Sequence, residues 1–317
     1  MPDPVVVDVH VHVFADADDP MRDGYEIWEY GERPDVEFGA RRGTVDDLLN
    51  SLDDGPCAHC VVLGMFVPEA EMASARRALP TGSPEGDNGE IEVRRSLPDR
   101  LRAYNRWILA TADRSPHLTP LVAADPSVLG GRAGGEHLAL AAEQGARGIK
   151  VHPVVQRFLP DDPRMAETYA VCEELGLTVL SHSGKSRAAP QWADPFAFSA
   201  VMKAHPRLHL LLAHLGGASW HQIREFAAAF PSVSFDLCEI IAWTGAPGAP
   251  TADELGRLIR DIGPERVLFG TDFPWYEVDR TIDQLMDLPH LSDEERRGIL
   301  GENAVRRMGL VLGDTAT

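Results

Sequence analysis

The chain has 317 residues, 44% hydrophobic and 25% charged, the profile of a globular protein long enough for one large domain or two ordinary ones. Its 49 acidic residues against 30 basic ones give a formal charge of −19, which excludes nucleic acid and anionic membranes as partners, because both demand a basic face. No apolar run reaches the roughly 20 residues that cross a bilayer, and Met1-Pro2-Asp3-Pro4 carries no signal-peptide pattern, so a cytoplasmic location and a small-molecule substrate are expected.

The chain opens on Val5-Val6-Val7-Asp8-Val9-His10-Val11-His12. Side chains of a strand alternate faces, so Val7, Val9 and Val11 are expected on one face, with Asp8, His10 and His12 on the other. Two imidazoles at i and i+2 can share a metal ion, and Asp8 could hold or orient a ligand. A strand rich in valine and buried on both faces belongs in a parallel sheet. Residues 14–44 follow as a long polar connection with Tyr25, Trp28, Tyr30 and Phe38, either a functional loop or an excursion packed by its own aromatics. A short helix over 44–52 carries a Thr44 cap with Asp46 and Asp47 in its first turn. The second strand is expected over 59–66. The Cys57-Ala58-His59-Cys60 spacing before it has no second pair to complete a structural zinc site, and the four cysteines form no disulfide framework. A second insertion over 67–97 contains the Gly/Pro/Asp-rich tract 80–89, expected to be mobile.

A helix over 97–115 leads to a third strand over 118–124, and from there the rhythm is regular. Helices are expected over 135–144, 163–175 (ending on Gly176), 195–204, 220–230, 252–262, 278–288 and 293–308, the last with a Ser292/Glu295 capping box. Strands four to eight are expected over 147–152, 177–183, 208–214, 233–238 and 266–270. Eight strands, each followed by a helical segment, spell an α/β fold of the (β/α)8 TIM-barrel type, with long loops after strands 1 and 2 and one domain over residues 1–317. No Gly-x-Gly-x-x-Gly follows any strand, which argues against a doubly wound nucleotide-binding sheet.

Chemistry in such barrels sits at the C-terminal ends of the strands. Five of those ends carry ligating or proton-transferring residues: His10 and His12, Lys150 and His152, His182, His214, and Asp272. One such residue could cap a carbonyl or a helix, but all of them on one rim point to a metal. A set of histidines with one carboxylate suits Zn2+ or a similar divalent ion with a position open for water. Arg187 could meet an anionic substrate, Trp192, Trp243, Trp275 and Tyr276 could form an aromatic wall, and Glu239 ends the seventh strand.

Asp8-Val9-His10-Val11-His12, Gly148-Ile149-Lys150-Val151-His152-Pro153, Ser181-His182-Ser183-Gly184, Ala213-His214-Leu215-Gly216-Gly217 and Gly270-Thr271-Asp272-Phe273-Pro274 together resemble the amidohydrolase superfamily. The resemblance is to its amidohydrolase-related (amidohydrolase 2) branch, which holds metal-dependent hydrolases and decarboxylases related to aminocarboxymuconate semialdehyde decarboxylase. It covers nearly the whole chain, Gly301-Glu302-Asn303-Ala304 included, but leaves 14–44 and 67–97 unmatched. It implies that His10, His12, His182 and Asp272 bind one divalent metal, Zn2+ or else Mn2+ or another ion. Asp272 and His214 would then be the catalytic proton-transfer residues, with Asp272 accepting a proton from metal-bound water. Lys150 would either stay an unmodified amine facing a substrate carboxylate or, as in binuclear relatives, be carboxylated and bridge two metals. Lys150, His152, Arg187 and Trp275 are the expected substrate contacts, and a homodimer is what the family suggests. Hydrolysis of a C–O or C–N bond in a lactone, ester or amide is the leading expectation. Non-oxidative decarboxylation of an unsaturated or aromatic acid is the alternative, and a barrel recruited for binding alone is the third.

Overall fold

Seven consecutive buried residues, Val6–His12, form the first strand, β1, of the computed structural model, which describes residues 4–19, 30–31, 35–77, 87–185 and 192–312. The other strands are β2 (Cys57–Leu63), β3 (Leu118–Ala123), β4 (Gly148–Val151), β5 (Thr178–Ser181), β6 (His209–Leu212), β7 (Ser234–Asp236) and β8 (Val267–Leu268). Each pairs in parallel with the next, in chain order. The Val9 amide donates to the Phe269 carbonyl at 3.0 Å and the His12 amide to Phe273 at 2.8 Å, which brings the last strand back to the first. The expected TIM barrel is the observed fold.

The interior is filled by Val7 and Val9 from β1, Val61 and Leu63 from β2, and Leu121, Leu180, Leu211 and Leu268 from four more strands. Ala304 and Leu310 close it from below. Val11 belongs to the outer layer, between strands and helices. The simple alternation expected for β1 therefore does not hold. Asp8 pairs with Cys60 and Val11 with Val62, so β1 takes three steps where β2 takes two. The extra residue is a bulge, a device that re-aims side chains at barrel rims. It turns Val9 and His10 inward in succession, restores His12 to the interior opposite Leu63, and leaves Asp8 on the other face.

The helices follow the expected order with informative differences. The first, α1 (Val45–Asp54), starts on the Thr44 cap, which forms a reciprocal capping box with Asp47. In place of an open second insertion, α2 (Pro68–Arg77) packs against α3 (Asp87–Ala112), which starts ten residues before the expected 97 and passes through Pro98. The reason is packing: Val93, Leu97 and Leu101 recur every four residues and join Phe66, Met72 and Ala75 in a separate core. Of the tract expected to be mobile, residues 80–86 lie outside the described residues. The regular half adds α4 (Arg132–Glu143), α5 (Ala166–Leu175), α6 (Ser199–Ala204), α7 (Ile223–Ala229), α8 (Ala252–Ile262) and α9 (Val278–Asp287). Gly176 ends α5 in the left-handed region (φ 67°), as its position predicts. The expected helix 293–308 is α10 (Asp293–Arg297), a π turn over Gly298–Glu302, and α11 (Asn303–Met308). The turn places Gly301 where an added Cβ would lie 2.2 Å from the Val5 carbonyl oxygen, so the closing helix rests directly on the start of β1.

His59 is a buried residue of β2, with Nε2 2.8 Å from the Thr119 hydroxyl on β3, and burial, helped by nearby His117, holds its imidazole down at about 4. A depressed histidine contributes stability above its unfolded value near 6.5, and that stability is lost as pH falls towards 4. His59→Gln should therefore lose about 2 kcal/mol less unfolding free energy than wild type between pH 7.5 and 5.0, read by urea titration; parallel losses would show that the histidine does not set the slope.

Candidate metal centre

The strand ends turn sharply where the polar residues sit. His214 (φ 60°), Glu239 (φ 62°) and Asp272 (φ 61°) all adopt the left-handed backbone that costs a non-glycine residue on the order of 1 kcal/mol, a strain that recurs at functional sites. It aims all three into one volume with His10. Ligand atoms of His10, His214, Cys238 and Asp272 lie within 4.8 Å of one another.

A carboxylate that the sequence did not reveal organises this group. Asp236, the last residue of β7, is fully buried. Its Oδ2 lies 3.0 Å from His10 Nδ1, and its Oδ1 accepts from the His214 amide at 2.8 Å and from the Cys238 thiol at 2.9 Å. Cys238 Sγ also lies 3.0 Å from His10 Nδ1 and 3.1 Å from His214 Nδ1. Asp8 holds backbone in place, which departs from the expectation that it would hold or orient a ligand. It accepts from the His10 and Thr271 amides, each at 3.0 Å, and from the Thr271 hydroxyl, tying the bulge of β1 to the loop after β8. Burial outweighs these hydrogen bonds and pushes its carboxyl up to about 7.

On the opposite edge of the His10 ring, Nε2 lies 2.9 Å from Lys150 Nζ and 3.4 Å from Asp272 Oδ1. His12 Nε2 lies 3.4 Å from the same oxygen. Burial, with Lys150 next, holds His10 and His12 neutral and well below the ordinary histidine value. His182 is reached through His214, whose Nε2 lies 3.1 Å from His182 Nδ1, and it stacks on His152 with ring centres 3.8 Å apart. Burial pushes both His182 and His214 down to about 3. His214 Nδ1 faces the Cys238 carbonyl at 3.2 Å and Glu239 at 3.6 Å. Asp272 is pushed up to about 7 by burial, against the pull of Lys150.

This donor set fits a divalent cation. Tetrahedral bonds of about 2.1 Å put ligand atoms about 3.4 Å apart, the spacing of both histidine Nε2 atoms from Asp272 Oδ1. Neutral imidazoles offer lone pairs, and the carboxylate behind His10 is the usual partner of a metal-bound histidine. Asp236 and the Cys238 thiol both face the Nδ1 edge of His10, so the Nε2 edge is the one that would be offered to a cation.

An aromatic wall stands beside the cluster. The Trp275 ring is edge-on to His12 at 5.5 Å and to Phe14 at 6.0 Å. Trp243 donates to the Tyr276 hydroxyl at 2.8 Å, stacks on Tyr30 at 5.6 Å and meets Phe38 at 6.5 Å, while Trp192 is half-buried beyond β5. The described parts of 14–44 thus pack on the loops after β7 and β8: the Gly39 amide donates to the Trp275 carbonyl and the Gly31 amide to Pro247, each at 2.7 Å. Arg187 lies outside the described residues. Cys57 and Cys60 sit at or near the N-terminal end of β2, on the far side of the barrel, and all four cysteines are free.

With fold and site in view, the profile of the amidohydrolase family matches residues 7–310, and the chain belongs to that family. A curated relative from Dictyostelium discoideum, named 2-amino-3-carboxymuconate-6-semialdehyde decarboxylase, is 25% identical over 198 residues. That match covers 53% of this chain and 55% of the relative, so the chain spans about half the length of the curated protein it matches. An uncharacterised TIM-barrel protein from Bordetella bronchiseptica superposes with a TM-score of 0.70 at 16% identity, covering 96% of this chain and 99% of that one. A dihydroxybenzoic acid decarboxylase from Polaromonas, solved with manganese and 2-nitroresorcinol, superposes with a TM-score of 0.61 at 13% identity over 97% of each chain. At these identities the structural likeness establishes the fold alone. Among the described residues, no helix is long and apolar enough to cross a membrane.

Lys150 discriminates the two metal stoichiometries. As an unmodified amine it is dispensable for ligation, so Lys150→Met should keep about one equivalent of metal while turnover falls by about 10²-fold or more. Loss of a second equivalent from a two-metal wild type would make it a carboxylated bridge.

Proposed function

We propose that the protein is a metal-dependent, non-oxidative decarboxylase of a small unsaturated or aromatic carboxylic acid. The observation that carries the reading is the named chemistry of the curated relative, a decarboxylase aligned over 198 residues. It favours decarboxylation over the C–O or C–N hydrolysis that the sequence put first; the motifs that suggested hydrolysis serve both reactions, because each needs the metal, a proton-transfer residue and a cation. The spacing of His10, His12 and Asp272 supports one divalent ion held by these three, and the family resemblance adds His182 as the fourth ligand, with Zn2+ or Mn2+ suited to such nitrogen and oxygen donors. When bound, the ion supplies Lewis acidity that polarises a substrate oxygen.

Decarboxylation breaks the bond to the carboxylate carbon, releases CO2 and puts a proton on the carbon left behind. Asp272 Oδ1 faces the two histidines, which leaves Oδ2 as the oxygen through which this residue can relay that proton, a general-acid role worth about 10²–10⁴-fold. His214, held to His182 and backed by Glu239, can steady the charge that develops during transfer. Lys150 offers an ammonium to the substrate carboxylate. His152 Nδ1 is buried with no hydrogen-bond partner among the described residues, which suits a contact to the same acid. Trp275 beside His12 suits a flat, conjugated ring or chain, and Arg187 is retained as a further contact for its anionic end.

The test is stoichiometric. Metal-loaded protein is offered 2-amino-3-carboxymuconate semialdehyde and dihydroxybenzoates in D2O. One CO2 per turnover, with deuterium on the vacated carbon, is the expected result. Consumption of lactone, ester or amide substrates without CO2 would return the assignment to hydrolysis.

A further inference from the structure

The Asp236 carboxylate serves two groups with two oxygens. Oδ2 faces His10 Nδ1 on β1 at 3.0 Å; Oδ1 takes the His214 amide after β6 at 2.8 Å, just where the chain enters the left-handed region. An ionised carboxylate only accepts, so its contact with His10 requires the proton on Nδ1. Lys150 Nζ lies 2.9 Å from His10 Nε2 at the other edge of the ring, but burial lowers its proton affinity, and this contact by itself does not set the tautomer. The carboxylate on β7 is therefore the group that fixes the tautomer of this fully buried ring.

We infer that Asp236 is the positioning residue of this centre: it fixes the proton of His10 on Nδ1, presents the Nε2 lone pair to the metal, and pins the backbone that carries His214. The inference rests on the reading of His10 as a metal ligand. Cys238 does not share the role. Its thiol donates to Asp236 Oδ1, and burial keeps it protonated, so it supports the carboxylate instead of replacing it. Coupling both histidines to one side chain also explains why β7, which supplies no metal ligand, ends in a fully buried acid.

Asp236→Asn separates positioning from mere packing. The asparagine keeps the shape but has one acceptor oxygen and one donor amide. With the oxygen on the His214 amide, its NH2 faces His10 Nδ1 and drives the proton to Nε2, the atom the metal needs. Long-range 15N–1H correlation spectra of chelator-treated protein at pH 7.5 read the tautomer directly, with the His10 signals identified by their loss in His10→Gln. Wild type should show the Nδ1–H form and Asp236→Asn the Nε2–H form, and Zn2+ and Mn2+ titrated into the variant should bind about 10–100-fold more weakly. Cys238→Ala should keep the wild-type tautomer. An Nε2–H form in wild type, which needs no variant to fold, would overturn the inference. So would unchanged tautomer and metal affinity in Asp236→Asn, or a tautomer switch in Cys238→Ala. A wild type that holds the Nδ1–H form yet binds neither ion would support the Asp236 contact and sink the metal reading on which its purpose depends.

Discussion

One extra residue in β1 decides which groups meet inside this barrel. Without the bulge between Asp8 and Val11, strict alternation would put Val9 and Val11 on the face opposite the histidines. With it, Val7 and Val9 fill the apolar floor, and His10 and His12 still rise from the same strand into the polar layer above. Asp8, left on the other face, secures the bulge by accepting the His10 and Thr271 amides. The strand that holds the centre thus also defines the boundary between packed core and chemistry.

Above that boundary the electrostatics are unbalanced for a protein interior. Asp236 is buried there and Asp272 is 14% exposed, Asp8 is buried behind β1, and Lys150 is the one buried ammonium among the described residues. Around them stand five buried imidazoles, His10, His12, His152, His182 and His214, all held neutral chiefly by burial. Burying charge without a partner is expensive, and Asp8 and Asp272 respond with raised proton affinity. A divalent cation on the Nε2 edge of His10 would satisfy the lone pairs and the surplus negative charge together.

The barrel and most of this rim were legible in the sequence because their signals are local. Strand-to-helix rhythm survives in any window of a dozen residues, and His182, His214 and Asp272 each sit in a short segment that leaves an apolar strand and enters glycine or proline. Three features were hidden for physical reasons. A bulge is set by pairing with a partner strand, so the regular valines of β1 read as simple alternation. Asp236 and Cys238 lie in Ser234-Phe235-Asp236-Leu237-Cys238, which reads as an ordinary strand end until folding brings it to His10, more than 200 residues away in sequence. The early start of α3 depends on Val93 and Leu97 meeting Phe66 and Met72, a contact stronger than the interruption at Pro98.

The central claim is that the Nε2 edge of His10 belongs to a metal site, and elemental analysis of protein purified without chelator tests it most directly. The account predicts about one equivalent of Zn2+, Mn2+ or a similar ion per chain, lost in Asp272→Ala and in His182→Ala. Metal near zero in a preparation that still turns over its substrate would contradict it.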